Sequence, residues 1–340
     1  DWPGEAAVDV AIVNWVKNPT KPLTEVLLDG KVVPIVSSSL RVDNPGNAHR
    51  LKPNRGIAFQ GMLPGADFVV SDSVADKLRK IDEPRYAEVI RPYLSGDDIA
   101  TSPTQTATRF VVDFGLRSLE EAMQYPDALQ IVRLQARRAR EESTSFSRNP
   151  QWWQFLWPRP VFRMAVASKR RFIAGTATGK RILFCWCSLE VVASNSTNVF
   201  ALDGDAELGV LMSQIHVAWA KLQSSTLEDR IRYTPSSAFE TFPWPGGEHE
   251  EVGDVARRLC AHRTEICVEH EIGLTTLYNQ VDEGAWKDLR ALHVELDEAV
   301  VGAYRWPKHV AHDADESNRR LLELNRAITT GDVEYRPFSG

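Results

Sequence analysis

The last third of the sequence carries four successive helical patterns, each with one apolar face, and these constrain the fold more than any other feature. They lie at residues 252–267, 273–281, 286–304 and 316–328. Helices that each bury a single apolar stripe must pack against a neighbour. A net acidic helical bundle is therefore predicted from about residue 248 to residue 330.

Before the bundle, the sequence predicts short elements separated by glycine and proline turns. Residues 6–15 alternate as a buried strand does, and Asp29-Gly30 predicts a hairpin turn. A polar connector follows at 36–58, and a small β-rich domain spans about 55–240. The order of elements predicts an α+β fold. Within the β-rich domain we expect helices at 72–80, 84–90, 119–142 and 208–222, a strand at 109–114, and short strands between 152 and 200.

The composition is that of an ordinary globular protein. Apolar residues make up 43% and charged residues 25% of the chain, and no apolar run approaches the roughly 18 residues of a membrane helix. We expect a soluble, cytoplasmic protein without a leader peptide or membrane contact. The cysteines lack the paired spacings of a zinc site, so no metal is expected. Cys185 and Cys187, two apart in a predicted strand, should both be buried on one face.

Sequence motifs for catalysis and cofactor binding are absent from the chain. It contains no Gly-rich turn of the kind that binds S-adenosylmethionine, no G-x-G-x-x-G, no G-x-S-x-G and no H-E-x-x-H. Asn149-Pro150-Gln151-Trp152 is close to the Asn-Pro-Pro-aromatic motif of adenine methyltransferases, but the second proline is missing. We interpret it as a chance match and predict no catalytic or cofactor-binding residue in this chain.

The run Gly175-Thr-Ala-Thr-Gly-Lys-Arg181 looks like a phosphate-binding P-loop at first sight. The gap between its glycines is three residues instead of four, and Arg181 replaces the hydroxyl residue. The apolar residues 182–187 that follow predict a strand, where a P-loop requires a helix. The run is better interpreted as a turn between two strands that presents Lys180 and Arg181 to solvent.

The net charge of −6 argues against a nucleic-acid partner, but its distribution favours one. Between residues 133 and 181 there are twelve Lys or Arg residues against Glu141 and Glu142, a local charge of +10 that leaves −16 for the rest of the chain. Such asymmetry predicts a basic face that binds a polyanion. Helical spacing places Arg133, Arg137 and Arg140 on one side. The alternative is a solvated helix with scattered arginines.

Aromatic residues concentrate at 152–157, beside arginines. Trp152 is flanked by Arg148, Arg159 and Arg163, and interleaved aromatic and arginine side chains suit stacking on bases with phosphate contacts alongside. The alternative is that the tryptophans anchor the core of the small domain. We favour it for at least two of them, because adjacent tryptophans in a strand point to opposite faces.

Lys180 and Arg181 are sharper candidates for contact with bases. Arg or Lys bound to guanine O6 and N7 is the commonest direct base contact, and a two-stranded ribbon can carry such a loop into the major groove. The polar run Asn195, Ser196, Thr197 and Asn198 could read adenine or bind phosphate. An exposed surface turn is the alternative interpretation.

Five runs in order resemble the C-terminal part of the large type IIL-like adenine-specific DNA methyltransferases of bacterial restriction-modification and phage-defence systems. The resemblance extends over nearly the whole chain, and five ordered motifs are far more specific than one. The runs are WPGEAAV at 2–8, IRPYLSGDDI at 90–99, GKRILF at 179–184, IRYTP at 231–235 with FETFP at 239–243, and TTLYN at 275–279.

The resemblance implies a division of labour between domains. In that family the S-adenosylmethionine and Asn-Pro-Pro-aromatic motifs lie upstream, a target recognition domain follows, and a helical domain closes the chain. Residues 1–40 would be the last strands of a truncated methyltransferase domain, 41–247 the target recognition domain, and 248–340 the helical domain. The family's base-reading loop corresponds to Thr178, Gly179, Lys180 and Arg181.

The implied partners are double-stranded DNA and the upstream methyltransferase domain of the same polypeptide. That domain would bind S-adenosylmethionine, flip the target base and methylate adenine N6. This chain would choose the site and, without catalytic motifs, would be inactive by itself.

Two other functions compete with sequence recognition. A protein-interaction module would dock another subunit through the acidic helical tail, and exposed Trp or Phe side chains there would favour it. A complete enzyme of another class would bind S-adenosylmethionine or a nucleotide on its own.

Overall fold

The computed structural model describes residues 26–28, 30–33, 48–142, 151–227, 230–247 and 249–338. The strand predicted at 6–15 and most of the connector at 36–58 lie outside these ranges, as does the WPGEAAV run. The fold is α+β, as predicted, and the domain borders at residues 40 and 247 stay predictions. In the described ranges no helix combines the length and apolar character needed to cross a membrane.

The strands are short and lie mostly in the first two thirds of the chain. They are β1 (Val26–Leu28), β2 (Lys31–Val33), β3 (Ala58–Gln60), β4 (Val69–Val70), β5 (Ile90–Leu94), β6 (Phe110–Val112), β7 (Phe172–Thr176), β8 (Thr178–Gly179), β9 (Phe184–Cys187), β10 (Val192–Ala193), β11 (Thr197–Phe200), β12 (Ser225–Leu227) and β13 (Arg230–Arg232).

In the described ranges, the three longest helices all begin at residue 250 or later. They are α1 (Asp72–Arg79), α2 (Glu83–Ala87), α3 (Gly96–Thr101), α4 (Leu119–Ala122), α5 (Pro126–Val132), α6 (Arg138–Glu142), α7 (Pro160–Val166), α8 (Asp205–Met212), α9 (Gln214–Gln223), α10 (Glu250–Glu269), α11 (Leu274–Asp282), α12 (Lys287–Ala303) and α13 (Ala314–Thr330).

The strands form several small sheets. The central sheet has the order β3-β11-β7-β9 with antiparallel neighbours, and every residue of β7 and β11 is buried. A second sheet has the order β10-β5-β6-β4, and a third the order β12-β13-β8. The predicted hairpin about residues 29–30 is confirmed, since β1 and β2 pair antiparallel with Val26 opposite Val33.

Three of the predicted elements differ from the structure because polar or proline residues break them. The helix predicted at 119–142 ends after α4 and begins again at Pro126, which has no amide hydrogen to continue the first helix. The helix predicted at 208–222 is two helices, because the Ser213 side chain caps α9. Among the strands expected at 152–200 lies helix α7, which begins at Pro160, a favoured first helical residue.

The predicted alignment of Arg133, Arg137 and Arg140 on one helix face is wrong. Residues Arg133–Arg137 form a π-helical turn between α5 and α6, and a wider turn shifts the phase of the residues after it. Arg133 is exposed, whereas Arg140 is fully buried and donates hydrogen bonds to the carbonyl oxygens of Pro64 and Gln154. Arg140 therefore has a structural role, because it links the backbone at Pro64 to the backbone at Gln154.

The helical bundle and the β-rich section share one hydrophobic core. α10 packs against α8 and α12, α13 packs against α9, and α11 packs against α3. Gly273, just before α11, permits the last contact, because a Cβ there would lie 2.4 Å from the Cα of Thr101. The predicted bundle is confirmed, and it is joined to the β-rich section through buried side chains.

Candidate functional site

A cleft of about 770 Å³ opens where the β-rich section meets the bundle. Five segments form most of its lining: the β7–β9 connection within 176–183, the polar residues Asn195, Ser196 and Asn198, the residues 232–235 at the end of β13 and beyond it, and the facing sides of α3 and α11. Most of the lining residues carry cationic, amide or hydroxyl side chains, so the cleft suits a polar or anionic ligand.

Backbone hydrogen bonds fix three of these segments side by side. β13 pairs with β8, so that Arg232 lies opposite Thr178. The Ala177 amide donates to the Ser196 carbonyl at 3.0 Å, and the Tyr233 amide donates to the Ala177 carbonyl at 2.9 Å. The loop that holds Thr178 and Gly179 therefore lies between the polar residues 195–196 on one side and Arg232 on the other.

The turn that carries Lys180 and Arg181 is closed tightly at its base. The Thr176 amide donates to the Leu183 carbonyl at 3.0 Å, and the Leu183 amide donates to the Thr176 hydroxyl at 3.1 Å. Lys180 is exposed, as expected. Arg181 is held at the cleft wall by an ion pair with Asp282, and its guanidinium lies 5.5 Å from the centre of the Tyr278 ring.

A buried polar network supports the floor of the cleft. The Asn198 side-chain amide donates to the Tyr233 carbonyl at 3.0 Å, and the Tyr233 hydroxyl lies 3.0 Å from His216 Nε2. Burial lowers the pKa of His216 to about 3 and raises the pKa of Tyr233 above its ordinary value. Both groups are therefore neutral near pH 7, and a hydrogen bond between them holds the 233–235 segment in place.

Charge in the cleft is mixed, with a small positive excess. Lys180, Arg181 and Arg232 line it together with Asp97 and Asp282. Three cations against two carboxylates would attract phosphate groups without making the site uniformly basic.

Most of the sequence-predicted site residues of the two loops meet in this cleft. Thr178, Gly179, Lys180, Arg181, Asn195 and Ser196 all line it. Thr197 does not, because it is fully buried and its hydroxyl donates to the Ser194 carbonyl at 2.7 Å. Thr197 supports the cleft from beneath and has no surface with which to touch a ligand.

The remaining candidates lie outside the cleft and have structural partners. Arg163 donates from Nη2 to the buried carboxylate of Asp113 at 2.8 Å. Arg159 donates to the Gly61 carbonyl at 3.2 Å, and partial burial lowers the pKa of its guanidinium. Trp152 is half-buried and packs against the core, with Trp153 edge-on at 6.0 Å, which favours the core alternative for it. Arg148 lies outside the described residues.

The described cations of residues 133–181 do not share one surface, because Arg140 is fully buried and most of the others lie outside the cleft. Several arginines of this segment pair with carboxylates, either from distant parts of the chain, as in the Arg171–Asp205 pair, or from the same helix, as in the Arg138–Glu142 pair of α6. Among the eleven cations of this segment that the structure describes, only Lys180 and Arg181 line the cleft. The segment's contribution to the positive charge of the cleft is therefore one loop with two cations.

Sequence reasoning did not single out Arg232, Gly96 or Asn279 as site residues, yet each lines the cleft. All three lie in the runs that carry the family resemblance. Four of the five runs contribute to the lining, and the fifth lies outside the described residues. The signal was present in the sequence as a set of motifs, but only the fold shows that they converge.

The described ranges contain no group of three or more His, Cys, Asp or Glu residues placed to hold a metal ion. Cys185 and Cys187 are buried free thiols in β9, as predicted. What the cleft can do chemically is bind: it presents cationic side chains and hydrogen-bonding groups on a rigid backbone.

Comparisons with known proteins agree with this architecture. The family model described as MmeI, target recognition domain, matches residues 60–246, more than half of the chain. A segment of 137 residues is 28% identical to DNA methyltransferase A of Bacillus subtilis (strain 168), covering 39% of this chain and 15% of that protein.

A solved structure is similar over most of the chain. The type IIL restriction-modification enzyme MmeI in complex with DNA matches with a TM-score of 0.70 and 19% identity, over 88% of this chain and 39% of that one. At this identity the match establishes the fold alone. The segments that match this chain make up 15% of DNA methyltransferase A and 39% of the MmeI chain, so this chain spans well under half the length of either protein. On the family model, the chain belongs to the MmeI target recognition domain family.

Proposed function

We propose that this chain recognises a specific sequence in double-stranded DNA on behalf of an adenine-N6 DNA methyltransferase of a restriction-modification or phage-defence system. The cleft residues Lys180, Arg181 and Arg232 would contact bases and phosphates. A methyltransferase domain upstream in the same polypeptide would bind S-adenosylmethionine and transfer its methyl group in the cytoplasm after flipping the adenine out.

One observation carries the proposal. Four motif runs spread over residues 90–279 of the sequence converge on a single cleft, and three cations from hydrogen-bonded neighbouring segments line it. Arginine and lysine at the tip of a short turn suit guanine O6 and N7, while backbone-held neighbours suit phosphate. Membership of a target recognition family agrees with this use of the cleft.

The chain's own sequence supports a division between reading and catalysis. It contains no S-adenosylmethionine motif and no intact Asn-Pro-Pro-aromatic motif. Methylation would therefore depend on the upstream part of the polypeptide, and this chain would set the place at which it occurs.

The alternative of a docking module finds little support in the described part of the tail. Trp286 packs against His270 at 5.0 Å, and Trp306 stacks on Tyr304 at 4.4 Å. Both tryptophans are half-buried, so neither offers the open aromatic surface that such a module would present.

A duplex library tests the proposal. The wild-type chain should enrich a defined sequence, and the combined Lys180→Ala and Arg181→Ala variant should lose discrimination at one or two positions, by about 1–3 kcal/mol for each lost base contact. Lys169→Ala with Arg170→Ala is the matched control, because it removes another adjacent Lys-Arg pair that does not line the cleft. A wild type without sequence preference, or a control as damaging as the cleft variant, would refute the proposal.

A further inference from the structure

We propose that helix α11 of the bundle positions the base-reading arginine: Asp282 and Tyr278 hold the Arg181 guanidinium at the cleft wall before DNA arrives. This inference rests on the proposed function and deepens it. It makes the helical domain a participant in sequence discrimination, through a contact between residues 101 positions apart in the chain.

The two residues form one receptor for the guanidinium. Positions four apart lie on the same face of a helix, so Tyr278 and Asp282 are neighbours on α11. Asp282 Oδ1 accepts a hydrogen bond from Arg181 Nη2, and the Tyr278 ring lies 5.5 Å from the guanidinium carbon. A carboxylate and an aromatic ring together fix both the direction and the plane of an arginine side chain.

The receptor is itself anchored to the bundle and to the loop. The Tyr278 hydroxyl lies 3.1 Å from His293 Nε2 on α12, and burial lowers the pKa of His293 to about 4, so this imidazole is neutral near pH 7. Arg263 on α10 is buried and donates from Nη2 to the Phe184 carbonyl at 2.6 Å, directly after the Arg181 turn. The bundle therefore holds this loop at two points.

The contact between Arg181 and Asp282 is weak enough to orient the arginine side chain without preventing it from binding a base. The side chains of Arg181 and Asp282 are 40% and 56% exposed, and exposed ion pairs are weak. An arginine loses much rotamer freedom when it is fixed on a ligand, and a contact that restricts it beforehand lowers that cost. Since Nη2 carries two hydrogens, a bond to Asp282 leaves a donor direction for a base.

Asp282→Asn tests the inference, measured with the 340-residue chain on a duplex library. Discrimination at the base position that Arg181→Ala relaxes should fall about two- to fivefold, because an exposed pair contributes little more. Affinity for non-specific duplex should stay equal or rise, because a negative charge near phosphates is removed. Asp282→Glu should restore discrimination at least in part.

Glu283→Gln is the matched control, because it makes the same charge change one residue later, outside the cleft lining. In an Arg181→Ala background, Asp282→Asn should have no further effect at that base position. Unchanged discrimination in Asp282→Asn, an equal loss in Glu283→Gln, or a full additional loss in the Arg181→Ala background would each overturn the inference. If the wild type prefers a sequence and Asp282→Asn is indifferent, only the inference fails; if the wild type has no preference, the proposed function fails with it.

Discussion

Gly96, at the start of α3, lies against the polar cleft segment so closely that a methyl group has no room. A Cβ at this position would be 2.8 Å from the backbone carbonyl oxygen of Ser196, whereas ordinary contacts begin at 3.4 Å. Gly96→Ala must therefore separate α3 from the 194–197 segment by about 0.6 Å, the difference between these distances.

That separation strains two hydrogen bonds of the cleft. The Gly96 amide donates to the Ser196 hydroxyl at 2.9 Å, and the Ala177 amide donates to the same Ser196 carbonyl that the new methyl group would push. Inserting a methyl group into a tight contact costs about 1–3 kcal/mol, and each weakened hydrogen bond contributes up to about 1 kcal/mol of it. We expect Gly96→Ala to lower the free energy of unfolding by about 1–3 kcal/mol and to weaken DNA binding, since Ala177 directly precedes the loop of Thr178 to Arg181 that we propose contacts DNA.

Gly302→Ala is the matched control, because it makes the same change in α12 where no atom lies within 4 Å of the new Cβ. Alanine is the better helix former, so stability should stay equal or rise by up to about 1 kcal/mol. Urea unfolding followed by circular dichroism measures both variants against the wild type. A Gly96→Ala variant as stable as the wild type, or an equal loss in both variants, would refute the reasoning from this close contact.

Three further substitutions test the charges. Burial raises the pKa of Asp297 to about 7, so the folded state keeps a proton that the unfolded chain releases near pH 4. Relative to Asp297→Asn, the free energy of unfolding of the wild type in urea should therefore fall as the pH rises from about 4 to 7. A difference between the two proteins that does not change with pH would contradict this. Arg163→Met leaves the buried Asp113 carboxylate without its closest cation and should lower the free energy of unfolding by about 3 kcal/mol. The double variant Arg163→Met with Asp113→Asn should recover part of this loss, because the unpaired charge is removed. No recovery in urea unfolding would argue against a charge effect. Arg232→Ala should leave the free energy of unfolding unchanged and weaken binding to duplex DNA. The slope of the logarithm of the binding constant against the logarithm of salt concentration should fall in magnitude by about one unit. An unaltered slope in a fluorescence titration would mean that Arg232 does not contact phosphate.

The elements that sequence reasoning predicted well are those fixed by local periodicity. The four helices of the bundle lie close to their predicted bounds, because each repeats an apolar residue every three to four positions over two turns or more. The errors fall where one residue overrides the pattern. Ser213 caps a helix inside a continuous apolar run, and the π-helical turn at Arg133–Arg137 shifts the arginines after it.

The prediction that the cations of residues 133–181 share one surface was wrong for a different reason. Local charge counts do not show the carboxylates that the fold brings from far away, such as Asp113 to Arg163 across 50 positions. Partly buried arginines need such partners, so a run of them indicates packing as readily as it indicates a polyanion site. Of the described cations in residues 133–181, the two that line the cleft are Lys180 and Arg181 on the glycine turn, which the turn pattern in the sequence indicated independently of the charge count.

The part of the site that sequence reasoning missed depends on tertiary contacts. Arg232 reaches the cleft because β13 pairs with β8, a register between strands more than fifty residues apart. Asn279 reaches it because α11 packs on α3. Neither neighbour relation follows from the spacing of residues along the chain.

The contact of Gly273 with Thr101 has a practical consequence for exchanging specificities between relatives. A chimaera joined near residue 247 would place a foreign bundle on this β-rich section, and any side chain at the position of Gly273 would wedge α11 away from α3. The transplanted unit should therefore include both the cleft loops and the whole helical section through residue 338, because Tyr335 and Phe338 also pack against the shared core.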